Sequence, residues 1–265
     1  MTARARIPGA APAWVLSVLA GPRRAAPVVH RGAHAVYLDV DGTALGVLSA
    51  VAAAVPCAVR TTLPVLNGGI DADATASVGG GRMSLGAEDV VVVRTVDASV
   101  PPMQRTDPVD AEARLARAVG DRLRCVRAEL PASALEALAD GRAEAVTALL
   151  GRGSGLTPVG DDVLAGWIAT AVAASPDAAG FPVSVAVAGR APSATTLLSA
   201  TLIDCARRGD VLPEFRTLLL DLAAPDRRDL GGSARELLAV GHTSGAGLLL
   251  GTLLAFHHLA SRRYP

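Results

Sequence analysis

The spacing of apolar residues changes near Pro101-Pro102, and this change limits what the chain can fold into. Before it, apolar and β-branched stretches such as Val28–Leu38 and Val90–Val93 alternate with turn signals, a pattern typical of strands. Those turn signals are Asp41-Gly42, Asn67-Gly68-Gly69 and Gly79-Gly80-Gly81. After it, apolar residues recur at steps of three and four, as helices require. The sequence therefore predicts an α+β protein, with a β-rich N-terminal barrel or sandwich over residues 1–105 and a helical C-terminal domain over residues 106–265.

The periodicity also predicts the individual elements. Helices are expected over residues 110–123, 132–150, 158–174, 193–207, 213–223, 232–240 and 244–262. A lone strand is expected at Phe181–Ala188, and Trp14–Leu19 is expected to form a docking helix or strand. Ala165, Ala169 and Ala173 form a ridge of small residues that would allow close packing of one helix.

Composition excludes several classes of function. The formal net charge is zero and aromatic residues make up 3% of the chain, so neither a basic surface nor a stacking platform for nucleic acid is expected. The chain has no lysine, which excludes Schiff-base catalysis and a phosphate-loop lysine. Its three cysteines lack metal-ligand spacing and fit free thiols in a reducing compartment. Pro8 and Pro12 interrupt the apolar N-terminal segment, which argues against a signal peptide, and no apolar run is long enough to span a membrane. We therefore expect a cytoplasmic protein.

A glycine-rich segment, Gly151–Asp162, is the main candidate for a binding site. Its glycines permit positive φ and close approach of a ligand, and it runs into a helix for which Thr157 is a predicted N-cap and Pro158 a predicted first residue. The free N–H groups of such a helix start favour an anion. Asp161 stands where a phosphate loop carries lysine, so Asp161 and Asp162 suit a divalent cation, an arginine or an amide N–H. The alternative is a capped helix with acids near its positive end.

Two further segments carry similar groups. Gly241–Gly247 again places glycine and hydroxyl residues before an apolar helix, where Thr243 or Ser244 would cap and His242 would donate a hydrogen bond or act as acid and base. A plain helix cap with a structural histidine explains this segment equally well. Thr195, Thr196 and Ser199 form a hydroxyl stripe that would line a polar pocket, face solvent or bond to helix carbonyls. Arg152 and Arg190 are weaker candidates for binding oxyanions.

Asp39-Val40-Asp41-Gly42-Thr43 offers a different function. After an apolar run it resembles the nucleophile motif of haloacid-dehalogenase-type phosphatases, in which the first aspartate attacks phosphorus. The absent lysine and the absence of predicted helices between residues 44 and 108 argue against that fold. A hairpin turn at Asp41-Gly42 is the preferred interpretation.

The segment Leu149–Gly166, L-L-G-R-G-S-G-L-T-P-V-G-D-D-V-L-A-G, resembles the signature of a bacterial family that includes the AllH subunit of oxamate carbamoyltransferase. Thr195-Thr196-x-x-Ser199 and Gly241-His242-Thr243-Ser244-Gly245 also fit that family, whereas Val159 replaces its usual serine. The resemblance implies a role in allantoin degradation, a branch of purine catabolism, where oxalurate and phosphate give oxamate and carbamoyl phosphate. It also implies two larger partner subunits.

The resemblance and the residue patterns together define the candidate site. Asp161, Asp162 and His242 are the candidate catalytic residues, and Asp161 with Asp162 would hold magnesium if a metal is needed. The candidate ligands of a small anionic substrate are Arg152, Gly153, Ser154, Gly155, Thr157, Gly160, Thr195, Thr196, Ser199, Thr243, Ser244 and Gly245. Whether the chain is a carbamoyltransferase, or a non-catalytic scaffold subunit that binds metabolites for a partner, stays open at this point.

Overall fold

The structure is a computed structural model that describes residues 4–66, 76–224 and 229–263, with only the backbone of Arg263. The predicted turn Asn67-Gly68-Gly69 lies outside these residues. The chain divides into two compact units, residues 1–98 and residues 99–265. The first is β-rich and the second is helical, which confirms the predicted fold class.

The first unit contains one curled, half-barrel sheet and a short helix. In chain order its elements are β1 (Ala5–Pro12), α1 (Ala13–Ala20), β2 (Arg24–Ala25), β3 (Val28–Arg31), β4 (Ala35–Val40), β5 (Thr43–Leu48), β6 (Ala58–Thr61), β7 (Ala76–Gly79), β8 (Arg82–Leu85) and β9 (Glu88–Val96). The strand order is β2-β7-β8-β9-β1-β6-β5-β4-β3. The β1–β9 and β5–β6 pairs are parallel, whereas the other pairs are antiparallel. Strand β1 thus joins two groups of four strands, and it was not expected from the sequence.

The Asp41-Gly42 turn connects β4 to β5 as an antiparallel hairpin, as the sequence predicted. Both turn residues have positive φ, 53° and 80°, which is the backbone of a type I′ turn. The Asp39 carboxylate accepts the N–H of Gly42 at 2.8 Å, so this side chain stabilises the turn. A phosphatase of the haloacid-dehalogenase type needs a parallel, doubly wound sheet around its nucleophile. The antiparallel hairpin gives Asp39 no such setting.

The second unit is built from helices that enclose α6. In chain order these are α2 (Pro108–Val119), a 3-10 turn (Gly120–Leu123), α3 (Arg124–Glu129), α4 (Ala132–Ala139), α5 (Glu144–Leu149), α6 (Val159–Ala174), a 3-10 turn (Ala178–Gly180), α7 (Pro182–Ala194), α8 (Leu197–Arg208), α9 (Pro213–Ala223), α10 (Leu230–Leu238) and α11 (Ser244–Arg263). Nearly every residue of α6 is buried, including Trp167. No helix among these described residues is long and apolar enough to cross a membrane.

Two predictions for this unit were wrong. The single helix expected over residues 132–150 is divided into α4 and α5, because Gly141 has a φ of 72° and lies directly against the His258 ring. The strand expected at Phe181–Ala188 is part of α7, which starts at Pro182 in the favourable first-turn position. Val183, Val187 and Ala191 are all buried, and their four-residue spacing is that of one helix face.

Helices α6 and α11 approach each other backbone to backbone. A Cβ atom added at Gly166 would lie 2.3 Å from the carbonyl oxygen of Leu248, and one added at Gly251 would lie 2.1 Å from that of Val163. The predicted alanine ridge of α6 is buried. Glycine makes the closest contacts, however, and these hold the middle turns of α6 and α11 together.

Candidate functional site

The glycine-rich segment forms a loop between α5 and α6. Gly151, Gly153 and Gly155 have φ values of 73°, 121° and 88°, where glycine alone is unstrained. A Cβ atom at Gly151 would lie 2.4 Å from the Ala194 carbonyl oxygen, so space as well as φ requires glycine there. Within the described part of the chain, Gly153, Ser154 and Gly155 are exposed residues whose N–H groups have no protein acceptor. This loop can therefore offer several backbone donors to a bound anion.

Gly160 and Gly245 serve packing at the two helix starts. Gly160 is buried, and a Cβ atom there would lie 2.0 Å from the Leu149 carbonyl oxygen. Gly245 is also buried, and a Cβ atom there would lie 1.8 Å from the Leu237 carbonyl oxygen. Both glycines let a helix begin against the carbonyl end of a preceding helix.

The Asp161 carboxylate connects the loop to the segment before α8. It accepts the N–H of Gly151 at 2.6 Å on one oxygen and the hydroxyl of Thr195 on the other. Burial raises the pKa of Asp161, while hydrogen bonds from Gly151, Thr195 and Ser199 oppose that rise. Because its oxygens already accept these donors, Asp161 fixes the shape of the loop.

Asp162 lies on the neighbouring face of α6, toward α11. It is buried, and Gly247 leaves room for it, since a Cβ atom at Gly247 would lie 2.8 Å from the Asp162 Cβ. Burial raises the pKa of Asp162 to about 8, a hydrogen bond from Ser244 lowers it, and the charge of Asp161 raises it further. Its Oδ2 atom has no hydrogen-bond partner among the described residues. At neutral pH this carboxyl is therefore predominantly protonated.

The starts of α6, α8 and α11 meet at these two acids. The Thr157 and Ser244 hydroxyl oxygens are 3.0 Å apart, which links the start of α6 to that of α11. The Thr196 hydroxyl donates to the Leu156 carbonyl at 2.6 Å, which links the loop to the start of α8. Three positive helix ends therefore come together at residues that lie far apart in the sequence.

A predicted helix cap and a predicted helix face differ from the structure. The N-cap of α6 is Pro158 rather than Thr157, and it makes no side-chain cap hydrogen bond. The Thr157 hydroxyl bonds to that of Ser244. Thr195 and Thr196 do not lie on a helix face, since α8 begins only at Leu197. Thr196 is its N-cap and accepts the N–H of Ser199 at 3.1 Å.

The other predicted residues lie at the periphery. Arg152 is exposed, and its Nε is 3.5 Å from the Glu129 carbonyl oxygen. Ser154 and His242 are also exposed, and neither has a recorded contact with the aspartates. Thr243 accepts the N–H of Gly247 through its carbonyl oxygen at 2.8 Å. The structure therefore brings together Asp161, Asp162, Thr157, Thr195, Thr196, Ser199 and Ser244, with Arg152, Ser154 and His242 farther out.

A magnesium ion fits these residues poorly. Magnesium prefers ionised carboxylates and water in octahedral geometry. Asp161 already accepts N–H and O–H donors on both oxygens, so it is not free to ligate a metal ion. Among the described residues, no group of three or more histidine, cysteine, aspartate or glutamate side chains could hold a metal ion.

Sequence reasoning missed two participants in this site. Gly151 donates its N–H to Asp161, and Gly247 provides the space that Asp162 occupies. The role of Gly247 could have been predicted from the sequence, because Gly247 and Gly251 are four residues apart and therefore lie on one helix face.

Comparison with known proteins gives a family match. Residues 149–256 match the family model described as oxamate carbamoyltransferase subunit AllH. Comparisons with curated proteins and with solved structures gave no match. The matched range begins at the end of α5 and contains the glycine-rich loop, both aspartates and the starts of α6, α8 and α11. The resemblance predicted from the sequence is therefore confirmed over residues 149–256, which are similar to the family described as oxamate carbamoyltransferase subunit AllH.

Proposed function

We propose that the second unit binds a small oxyanion at the joined starts of α6, α8 and α11, as a subunit or relative of an oxamate carbamoyltransferase. The ligand class is carbamoyl phosphate, oxamate or oxalurate, each of which carries a phosphate or carboxylate group. The observation that carries this proposal is the meeting of three helix starts through direct Thr157–Ser244 and Thr196–Leu156 hydrogen bonds. Positive helix ends and free N–H groups together favour negative oxygen.

The loop residues provide the chemistry that such a ligand needs. Carbamoyl transfer develops negative charge on the carbamoyl oxygen, and fixed backbone donors stabilise that charge. We assign this role to the N–H groups of Gly153, Ser154 and Gly155. The exposed Arg152 guanidinium is available to bind a second oxyanion. Asp161 holds the loop in shape, so we assign it a positioning role rather than contact with substrate.

A second candidate function is a non-catalytic, metabolite-binding subunit. Both Asp161 oxygens accept hydrogen bonds from within the protein, so that carboxylate is not free to act as a base or nucleophile. This observation favours the non-catalytic function. The larger partner subunits would then perform the chemistry. In either case the binding of an oxyanion is the common requirement.

Binding is tested by calorimetry and thermal unfolding of the purified protein with carbamoyl phosphate, oxamate and inorganic phosphate. A ligand at a hundredfold its dissociation constant should stabilise the protein by about 2.7 kcal/mol. Ser154→Glu adds a carboxylate to the exposed loop and should abolish this gain through repulsion. Ser17→Glu, the same change on the exposed face of α1, is the matched control and should bind normally. Equal binding by both variants, or none by the wild-type protein, would refute the proposed site.

Catalysis is tested with the two larger subunits present. If the chain is catalytic, Asp162→Asn should slow turnover in the assembled complex while assembly and oxyanion binding persist. Undiminished turnover in that variant would favour the non-catalytic subunit. Turnover by the larger subunits without this chain would do so more directly.

A further inference from the structure

A row of polar side chains crosses the sheet of the first unit on the face opposite its core. Ser77, Ser84 and Asp89 lie side by side in register on β7, β8 and β9. Their neighbours along the strands, such as Met83 and Val90, belong to the core on the other face. Ser84 and Asp89 are nevertheless buried, at 1% and 6% exposure. Long side chains therefore cover this row, and arginines provide that cover.

Three guanidinium groups surround the Asp89 carboxylate. Arg4 donates from Nη1 to Oδ1 at 3.2 Å, and the Arg82 Nε lies 3.5 Å from Oδ2 without donating a hydrogen bond. Ser84 donates to Oδ1 at 2.6 Å and accepts from Nη2 of Arg23 at 3.0 Å. Burial alone would raise the pKa of Asp89, but the Ser84 hydrogen bond and the charges of the two nearer arginines lower it. This carboxylate is therefore ionised at neutral pH.

The positive charge of this cluster exceeds its negative charge. Three guanidinium groups stand against one carboxylate, which leaves two positive charges unbalanced. In the described part of the chain, Arg23 bonds to serine hydroxyls but to no carboxylate, and the buried Nε of Arg82 has no hydrogen-bond acceptor. Arg6, the register partner of Asp89 on β1, adds an exposed cation nearby. Asp89 and Ser84 thus hold the arginines in place and leave most of their N–H groups free for a ligand.

We propose that Arg4, Arg23 and Arg82 form a binding site for a phosphate group, supplied by inorganic phosphate or by a phosphate monoester. Guanidinium groups bind phosphate oxygens through paired, charge-assisted hydrogen bonds. A phosphate group carries close to two negative charges at neutral pH and so matches the unbalanced charge better than a single carboxylate does. This site lies in the first unit, outside residues 149–256, and does not depend on the proposed function.

Calorimetric titration at pH 8 and low ionic strength, where salt screens surface charge least, tests this site. The parent protein is Ser154→Glu, in which an added carboxylate repels anions from the glycine-rich loop of the second unit. Inorganic phosphate should bind this parent. Methyl phosphate is the second ligand: binding of both identifies a site for phosphate monoesters, and binding of inorganic phosphate alone identifies a site for the free ion. Either result supports the proposal.

Variants of the parent locate the binding. Arg23→Gln removes one guanidinium and should weaken phosphate binding about tenfold or more, as expected for the loss of a charge-assisted hydrogen bond. Asp89→Asn removes the competing negative charge and should tighten binding. Arg94→Gln is the matched control, because it changes the net charge equally at an exposed arginine farther along β9. Its affinity should equal that of the parent.

Several outcomes would overturn the proposal. These are the absence of phosphate binding by the parent, an Arg23→Gln variant that binds as tightly as the parent, or an equal loss in Arg94→Gln, which would reflect net charge alone. Should Arg23→Gln fail to fold, Arg82→Gln removes another guanidinium of the cluster and should show the same loss. The Nε–H NMR signal of Arg82, assigned with that variant, should also shift when phosphate is added to the parent, and an unchanged signal would exclude the site. Failure of oxamate to bind the second unit would leave all these results unchanged.

Discussion

Replacing Gly251 with alanine should force α6 and α11 apart. A Cβ atom at this position would lie 2.1 Å from the carbonyl oxygen of Val163 and 2.7 Å from the amide nitrogen of Trp167. Both are backbone atoms of a buried helix, so no side-chain rotation relieves the overlap. Restoring an ordinary contact of 3.4 Å to the Val163 oxygen needs a separation of about 1.3 Å. Overpacking costs typically 1–3 kcal/mol, and because a whole helix must shift we expect about 3 kcal/mol or more.

Gly189→Ala is the matched control, since Gly189 also lies within a helix. It is exposed on α7, and no atom lies within 4 Å of an added Cβ. The same substitution there should raise the free energy of unfolding by about 0.5–1 kcal/mol, because alanine loses less backbone entropy than glycine. Urea unfolding followed by Trp167 fluorescence, in a Trp14→Phe background, reports on the second unit alone. If Gly251→Ala were within 0.5 kcal/mol of its parent, the backbone contact between α6 and α11 would be wrong.

Three further predictions concern the candidate site. The folded pKa of Asp162, about 8, lies above its unfolded value, so wild-type stability falls as pH rises between the two. Asp162→Asn removes this loss. The free energy of unfolding of the variant relative to wild type, measured by urea titration, should rise by roughly 2–3 kcal/mol between pH 5 and pH 7, at about 1.4 kcal/mol per pH unit. A difference between the two proteins that does not change with pH would contradict a buried neutral acid. Asp161→Ala leaves the Gly151 N–H and the Thr195 hydroxyl without their acceptor, which should cost about 1–3 kcal/mol and speed tryptic cleavage at the exposed Arg152. Cleavage at the wild-type rate would show that Asp161 does not hold the loop in shape. Thr196→Ala removes the N-cap of α8 and should lower the free energy of unfolding by about 1 kcal/mol, whereas Thr196→Ser keeps the hydroxyl and should not. Equal losses in the two variants would exclude the hydroxyl as the cause.

Local patterns predicted those features that depend on nearby residues. The hairpin at Asp41-Gly42 follows from two residues that tolerate positive φ, and α9 begins at Pro213 and ends at Ala223 as its periodicity indicated. The change of pattern near Pro101 separated the β-rich part from the helical part. The glycine-rich loop, with its two aspartates in the first turn of α6, was also visible in the sequence.

Features that depend on distant contacts could not be predicted in this way. The break at Gly141 arises where the ring of His258, on the last helix, lies against it. Thr157 has the residue type of an N-cap, but its hydroxyl bonds to Ser244, which no local pattern reveals. Likewise, the burial that raises the pKa of Asp162 comes from the packing of α6 against α11. The raised pKa therefore could not be predicted from the two adjacent aspartates alone.

The position of β1 in the sheet affects how the first unit is assembled. This strand is made first, but its neighbours β6 and β9 follow much later in the chain. During synthesis the β1 edge that pairs with β9 must wait without partners until Val96 has left the ribosome, and such distant pairings slow folding. Proteolysis that removed Ala5–Pro12 would divide the sheet into two four-stranded pieces with newly exposed edges, which are sites of aggregation.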